Sequence, residues 1–460
     1  MSVEGKWRQM TFEELLSGSR GEAPRARQSD EEPPGTHGSG CSGTAQLLDA
    51  MLERQNLLLA LRRVKKNRGS PGIDGMTVIE LGPWLMAHWP EVKAAIVAGT
   101  YRPQPVRQKE IPKPGGGVRR LGIPTVLDRL IQQAILQVLQ PLFDPTFSDH
   151  SYGFRPGRSA HGAVRRAQGY VQEGRRVVVD VDLEKFFDRV NHDVLMGKLG
   201  TRIADRRLLS LIRRYLESGV MANGVVVERY EGTPQGGPLS PLLANVLLDD
   251  VDQELERRGH AFVRYADDGQ VYVRSRRAGE RVFALLHRLY DRLRLRINTS
   301  KSEVGSVFRC TFLGFAFWVG PGGVVKLRLA KKTLERMQDR VRSLTRRSGG
   351  RSMAVVVGKL RSFLIGWRGY YRIADTPGVM AALDGWIRRR LRALQLKHWK
   401  RGTTAFRELR NRGASVRLAA EVAAHVRRWW WNARLRLHHV LTNSYFDELG
   451  LPQLAPMTST

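Results

Sequence analysis

Cysteine is nearly absent: the 460 residues contain two, Cys41 and Cys310. Far apart in the chain, they make neither a disulfide framework nor the paired-cysteine module of a structural zinc site. The histidines form no HExxH pattern, and His438-His439 reads as part of a basic helix rather than as a metal site. Long apolar runs are also missing. The most apolar stretch, "MAVVVGKLRSFLIGW", is interrupted by Lys359 and Arg361, so nothing reaches the length needed to span a bilayer. The first residues carry Glu13 and Glu14 and no apolar signal core. No internal repeat is visible. Negative charge is the scarce sign, with 44 Asp and Glu against 76 Lys and Arg and a formal net charge of +32. Such an imbalance implies a polyanionic partner. With no membrane segment, it points to a soluble, intracellular, nucleic-acid-bound protein. If a metal takes part, carboxylates must hold it, which favours Mg²⁺.

What is present suggests about two to four domains. Hydrophobic residues make up 42% of the chain, enough for a sizeable core. Residues 17–44 are rich in Gly, Ser, Pro and charge and read as a linker. Leu47, Leu48, Met51, Leu52, Leu58, Leu61 and Val64 form the stripe of one helix, stopped at Asn67-Arg68-Gly69. "GSPGIDG" (69–75) is a loop whose spacing is wrong for a dinucleotide fingerprint. Residues 107–124 read as a β-hairpin turning at Pro114 to Gly117, and 127–143 as a helix with a broad apolar face. Val177 to Val181 is a buried β-branched strand. "TPQGGPLSPLLANVLLDDVDQEL" passes from a Gly/Pro loop into a helix, and "AFVRYADDGQVYVRS" is strand, tight turn, strand. Beyond about residue 330 the chain becomes helical and basic. Leu334, Met337, Val341 and Leu344 share one face, and Ile387, Leu391 and Leu394 align among Arg388, Arg389, Arg390, Arg392 and Lys397. The chain divides into five segments: a flexible 1–44, 45–170, 171–320, a helical 321–405 and a basic 406–460.

The acidic residues inside "RYADDGQVYV" need explaining. Asp-Asp-Gly between strands is ordinarily a plain turn, with Gly supplying the positive φ. Asp182, however, ends another buried strand. If the two strand ends lie side by side, three carboxylates converge and would not stay ionised together without cations. Two Mg²⁺ ions roughly 3.5–4 Å apart would resolve the repulsion, one activating a primer 3′-oxygen and the other holding pyrophosphate.

The ordered set "RGSPGIDG", "KPGGGVRRLGIPTVLDRLIQQAI", "YGFRPGRSAHGAV", "DVDLEKFFDRVNHD", "GTPQGGPLSPLLANVLLD", "YADD", "FLGF" and "GWRGYYRIADTPG" resembles the reverse transcriptases encoded by bacterial group II introns, over most of residues 45–452. The resemblance implies an α+β right-hand polymerase, with an N-terminal extension and fingers over 45–170 and an antiparallel palm sheet within 171–320, followed by an all-helical thumb or maturase region over 321–405 and a DNA-binding region over 406–460. It implies RNA-directed DNA polymerase activity, binding of the intron RNA to assist splicing, and copying of that RNA into DNA during retrohoming. The implied partners are intron RNA, target and primer DNA, and deoxynucleoside triphosphates, in the bacterial cytoplasm; it leaves room for a homodimer. Asp182, Asp267 and Asp268 match the metal-binding positions, with the carbonyl of Leu183 as a further ligand for two Mg²⁺, Mn²⁺ being the substitute. Phe187 matches the bulky residue that excludes a 2′-hydroxyl. Lys113 and Arg119 face the incoming triphosphate, and Gln235 lies near the nucleotide sugar. Lys301 matches a proposed proton donor to pyrophosphate. Arg388, Arg389, Arg392, Lys397, Arg427 and Arg428 are the expected nucleic-acid contacts. A Cys-rich endonuclease module common among relatives is not expected here. Two other readings remain: a stand-alone cellular reverse transcriptase serving defence or repair, and a non-enzymatic RNA-binding maturase.

Overall fold

In a computed structural model of the chain, residues 44–112, 117–222, 225–227, 231–233 and 236–455 are described. They divide into two compact units. The first takes the residues up to Ala163 together with Val177–Gly305, and the second takes Val164–Arg176 together with the residues from Ser306 onward.

The first unit opens with helices α1 (Leu47–Leu52) and α2 (Arg54–Asn67). The apolar stripe predicts one helix here, but the backbone is extended at Glu53 (φ −62°, ψ 140°). Polar groups account for the break. The Asn56 amide donates to the carbonyls of Met51 (2.9 Å) and Ala134 (3.1 Å), and the Leu48 N–H donates to Asp205 (2.9 Å). Leu47, Leu48, Met51 and Leu52 are buried in the first half and Leu57, Leu61 and Val64 in the second, whereas Leu58, expected on the stripe, is half-buried because the break shifts the inward face to Leu57. As expected, α2 stops beside Gly69, with Arg68 in left-handed backbone (φ 45°). After α3 (Leu81–Val97), strands β1 (Val106–Pro112) and β2 (Val118–Ile123) form the expected antiparallel hairpin. The hairpin extends through β4 (Val220–Ala222) and β5 (Val225–Val227) into the order β2-β1-β4-β5. Helix α4 (Val126–Phe143) is capped by Thr125, whose hydroxyl oxygen accepts from the Asp128 N–H at 3.1 Å, and α5 (Ala160–Gln172), α6 (His192–Gly200) and α7 (Arg206–Glu217) come next along the chain.

The sheet that positions the site has the order β6-β7-β3-β8. Its strands are β3 (Val177–Val181), β6 (Ala261–Tyr265), β7 (Asp268–Val273) and β8 (Glu303–Ser306). Both β3 and β6 run antiparallel to β7. Val178, Val179, Val263 and Val271 are buried, as β-branched residues in a covered sheet should be. Against it pack α8 (Ser240–Arg257) and α9 (Arg276–Arg292), which bury Leu247, Leu248, Val251, Leu285 and Leu286.

The second unit combines the hairpin of β9 (Phe315–Val319) and β10 (Val325–Leu329) with helices α10 (Lys331–Leu344), α11 (Met353–Tyr371) and α12 (Pro377–Trp399). The shorter α13 (Gly402–Arg410), α14 (Val416–Ala424), α15 (Trp429–Leu435) and α16 (Asn443–Glu448) follow. Met337, Val341, Leu360, Leu364, Ile387 and Leu391 form its core. Gly314 of "FLGF" has φ +85°, and a Cβ there would stand 2.7 Å from the Tyr371 hydroxyl. Tyr371 in turn packs on Trp367 and Phe315 (ring centroids 4.8 and 5.3 Å apart). The aromatics of "GWRGYY" are thus in large part core. The mid-chain segment is tied in through Gln168, whose amide donates to the Val325 carbonyl, and Gln172, whose oxygen accepts from the Val325 N–H, both at 2.7 Å. Among the described residues no helix is long and apolar enough to cross a membrane.

Candidate active site

The register of the sheet answers the question posed by the acidic turn. Val181 at the end of β3 lies opposite Gly269 of β7, so Asp182, one residue on, emerges beside Asp268. On the other side of β7, Tyr265 pairs with Asp268, leaving Ala266 and Asp267 as a two-residue turn. The turn is therefore Ala266-Asp267, one residue earlier than the Asp-Asp-Gly turn that the sequence suggested. The left-handed residue is Ala266 (φ 59°) rather than Gly269. A side chain at that φ costs roughly 1–2 kcal/mol relative to ordinary backbone.

That strained turn is held from below by a residue with no role in the sequence reading. Arg264 is 2% exposed. Its guanidinium donates to both oxygens of Asp252 (Nε at 2.9 and 2.8 Å), to Asn245 Oδ1 (2.9 Å), to Ser151 Oγ (2.8 Å) and to the carbonyl of Ala266 (2.9 Å). Gly153 presses on the same turn, since a Cβ there would lie 2.2 Å from the Ala266 nitrogen. Two signals in the sequence could have revealed the clamp: a lone arginine in an otherwise buried strand, and an acidic residue twelve positions upstream on an apolar helix face.

The carboxylates share one field. Exclusion of water by the surrounding protein, then the negative charges of Asp267, Asp180 and Asp182, push the Asp268 carboxyl up to about 6, although its residue keeps solvent on one side. Burial likewise moves Asp180 up to about 6, opposed by the Gln270 amide, which donates at 3.0 Å, and reinforced by Glu303 and Asp182. Asp182 is fixed through its backbone: its N–H donates to Ser302 Oγ (2.9 Å) and its carbonyl accepts from Asn298 N–H (2.8 Å). Its side chain faces Lys301, whose Nζ stands 3.6 Å from Oδ2. Asp182, Asp267 and Asp268 are thus brought together, with Lys301 beside them. Among the described residues no three His, Cys, Asp or Glu side chains already stand in the arrangement of a metal cage. The donor set is nonetheless right for a hard cation, and the repulsion that raises Asp268 is what such a cation relieves.

Leu183 is buried and bridges Ile297. Phe187 is 8% exposed, in a short 3₁₀ turn (Phe186–Asp188), with its ring edge-on to Phe186 at 5.0 Å. Arg119 lies on β2 opposite Ile111. Lys113 and Gln235 fall outside the described residues.

Of the expected nucleic-acid contacts in the second unit, Arg427 and Arg428 are exposed. Lys397 and Arg389 lie over the rings of Trp429 (4.7 Å) and Trp430 (5.7 Å). Arg388 and Arg392 are corrections. Both are buried. Arg388 pairs with Asp384 (3.2 Å) and Asp447 (2.7 Å), and Arg392 donates to the Leu441 carbonyl (2.7 Å) and Asn443 Oδ1 (3.2 Å). A run of arginines wrapped round a helix must place some of them inward, where only internal partners can satisfy them.

Residues 111–317 match the reverse transcriptase (RNA-dependent DNA polymerase) family, so the sheet with the paired aspartate tips is the palm of a reverse transcriptase domain. Residues 334–413 match the group II intron maturase-specific domain. With both modules in that order, the chain has the domain pair of a group II intron reverse transcriptase/maturase. YkfC of Escherichia coli K12 is 35% identical over 219 residues, 46% of this chain and 58% of YkfC. The group II intron-encoded protein LtrA of Lactococcus lactis is 42% identical over 156 residues, 34% of this chain and 26% of LtrA. The chain therefore spans 58% and 26% of these two relatives. A chain of a solved Cas6-RT-Cas1–Cas2 complex aligns over 53% of this chain and 42% of its own length, at 26% identity and a TM-score of 0.35, too low to bear on the fold.

Proposed function

We propose that the chain is an RNA-directed DNA polymerase encoded by a group II intron. It binds the intron RNA to assist splicing, and copies it into DNA from a primer end during retrohoming, in the bacterial cytoplasm. The observation that carries the reading is the β3–β7 register, which sets Asp182 beside Asp268 at the mouth of a buried sheet. Asp182, Asp267 and Asp268, with the Leu183 carbonyl, would hold two Mg²⁺, with Mn²⁺ as substitute. When bound, such ions stabilise the attacking 3′-oxygen and the charge on the leaving pyrophosphate. The chain's own groups do the rest. Lys113 and Arg119 orient the triphosphate, Gln235 lies along the sugar, and the Phe187 ring leaves no room for a 2′-hydroxyl. Lys301, an ammonium beside Asp182, supplies a proton to pyrophosphate. The five-part division into N-terminal segment, fingers, palm, thumb and basic C-terminal region belongs to the same reading.

Asp267→Asn is expected to abolish extension of a DNA primer on an RNA template while RNA binding is retained. Synthesis at the wild-type rate by this variant would contradict the assignment. A catalytic intron RNA flanking the reading frame tests the intron association. Its absence favours a stand-alone cellular enzyme.

A further inference from the structure

The second unit contains a cavity of about 880 Å³ to which the polymerase reading gives no role. Its wall carries Arg342, Arg346, Arg347, Arg390 and Lys397 against one carboxylate, Asp339. Asp339 is already paired with Arg342 at 2.7 Å, so positive charge is in large excess. The cations are held in place by two tryptophans. Arg347 and Lys397 lie over the ring of Trp429, at 4.8 and 4.7 Å from its centroid. Arg390 and Arg342 lie over Trp386, at 5.4 and 5.8 Å. Arg390 Nε also donates to Thr345 Oγ1 at 2.8 Å. Burial, with the charges of Arg342 and Arg347, holds the Arg390 guanidinium below the usual arginine range. Like charges gathered in a concave wall repel one another, and a bound anion relieves that repulsion.

The shape narrows the anion. A regular duplex offers a convex surface, whereas a strand that leaves its helix can enter a hollow of this size. Both indoles are committed to cations, so recognition runs through phosphates rather than through stacked bases. The hollow is larger than one phosphate needs, and its cations are spread over α10, α12 and the loop after α10.

We propose that this cavity receives an unpaired, sharply turned stretch of nucleic-acid strand and holds two or more of its phosphates through these five cations. The inference rests on the reading of the chain as a nucleic-acid-binding polymerase and adds a preference for looped strands. The phosphodiester chemistry is common to RNA and DNA, and the test separates the two.

The test uses the full chain and compares an RNA hairpin bearing a bulge of several unpaired nucleotides with a continuous RNA duplex of equal length, and the DNA counterparts of both. The wild type should hold the bulged RNA about tenfold more tightly than the duplex, as one or two additional charge-assisted hydrogen bonds would give. Arg346→Ala with Arg347→Ala removes two exposed side chains. It should erase that preference and lower the log–log salt slope for the bulged strand by roughly 0.7 per cation. The Arg346→Lys, Arg347→Lys pair should restore most of it, and thermal unfolding of both variants should match the wild type. An equal loss on duplex and bulge, or no loss, overturns the proposal. A DNA bulge that responds as the RNA bulge does supports the pocket with either strand as occupant; a response confined to RNA supports it with RNA alone. Primer extension by the same wild-type preparation separates the two levels. Extension without a bulge preference removes only the pocket, whereas absence of both extension and binding removes the polymerase reading and the pocket with it.

Discussion

At Asp268 the fold keeps a carboxyl against its preference. Its proton affinity, at about 6, lies above the ordinary aspartate value of about 3.9, so the native state binds more protons than the unfolded chain between those limits. Stability therefore falls as pH rises through about 4 to 6, and the penalty is complete above 6 and absent below 4. Asp268→Asn should stabilise the protein at pH 7.5 by up to about 1 kcal/mol once solvent screening is discounted, read as a raised melting temperature. The gain should fade at pH 4, and the cost is polymerase activity. A melting temperature that does not rise at pH 7.5 would remove the electrostatic account of the site. The aspartates were readable in the sequence because their neighbours, "YADD" and "DVDLEKFFDRV", compress the chemistry into short contiguous runs. Arg264 left only indirect signals, since its partners lie outside its own strand, Ser151 in one segment and Asn245 and Asp252 on α8, and reach it only on folding.

The β6–β7 hairpin depends on that arginine as an element. Arg264→Met leaves Asp252 buried without its partner and should cost about 3–5 kcal/mol. Adding Asp252→Leu should recover most of the loss, because a buried ion pair replaced by apolar groups is often neutral. The Ala266 carbonyl would still lack its donor, so the double variant should melt near the wild type but extend primers slowly. Wild-type extension by that folded double variant would show that the clamp serves stability alone. Element boundaries were less legible than element types. The break at Glu53 is imposed by the Asn56 and Asp205 hydrogen bonds, and neither interrupts the leucine spacing. The left-handed position at Ala266 arises from strand pairing rather than from a glycine, so residue type misled by three places.

Across the whole molecule the excess of basic residues splits into two populations. Exposed Arg427 and Arg428 are available to phosphates, and replacing each by alanine should lower the RNA-binding salt slope by about 0.7–0.9 with little change in stability. Arg388→Ala should do the reverse, destabilising by about 3–5 kcal/mol because Asp384 loses its buried partner, with the slope unchanged for folded protein. A slope change for Arg388→Ala would return that residue to the binding surface. The sequence counts both kinds of arginine alike; only packing tells them apart.

The second unit borrows Val164–Arg176 from the middle of the chain, where Gln168 and Gln172 bracket Val325. During translation this segment leaves the ribosome well before the strand it must meet and waits while the whole palm is synthesised. A truncation beginning at Ser306 would expose the unbonded backbone of Val325 and so make a poor stand-alone maturase fragment. The proposed splicing assistance is better dissected by point substitutions in the intact polypeptide than by cutting it in two.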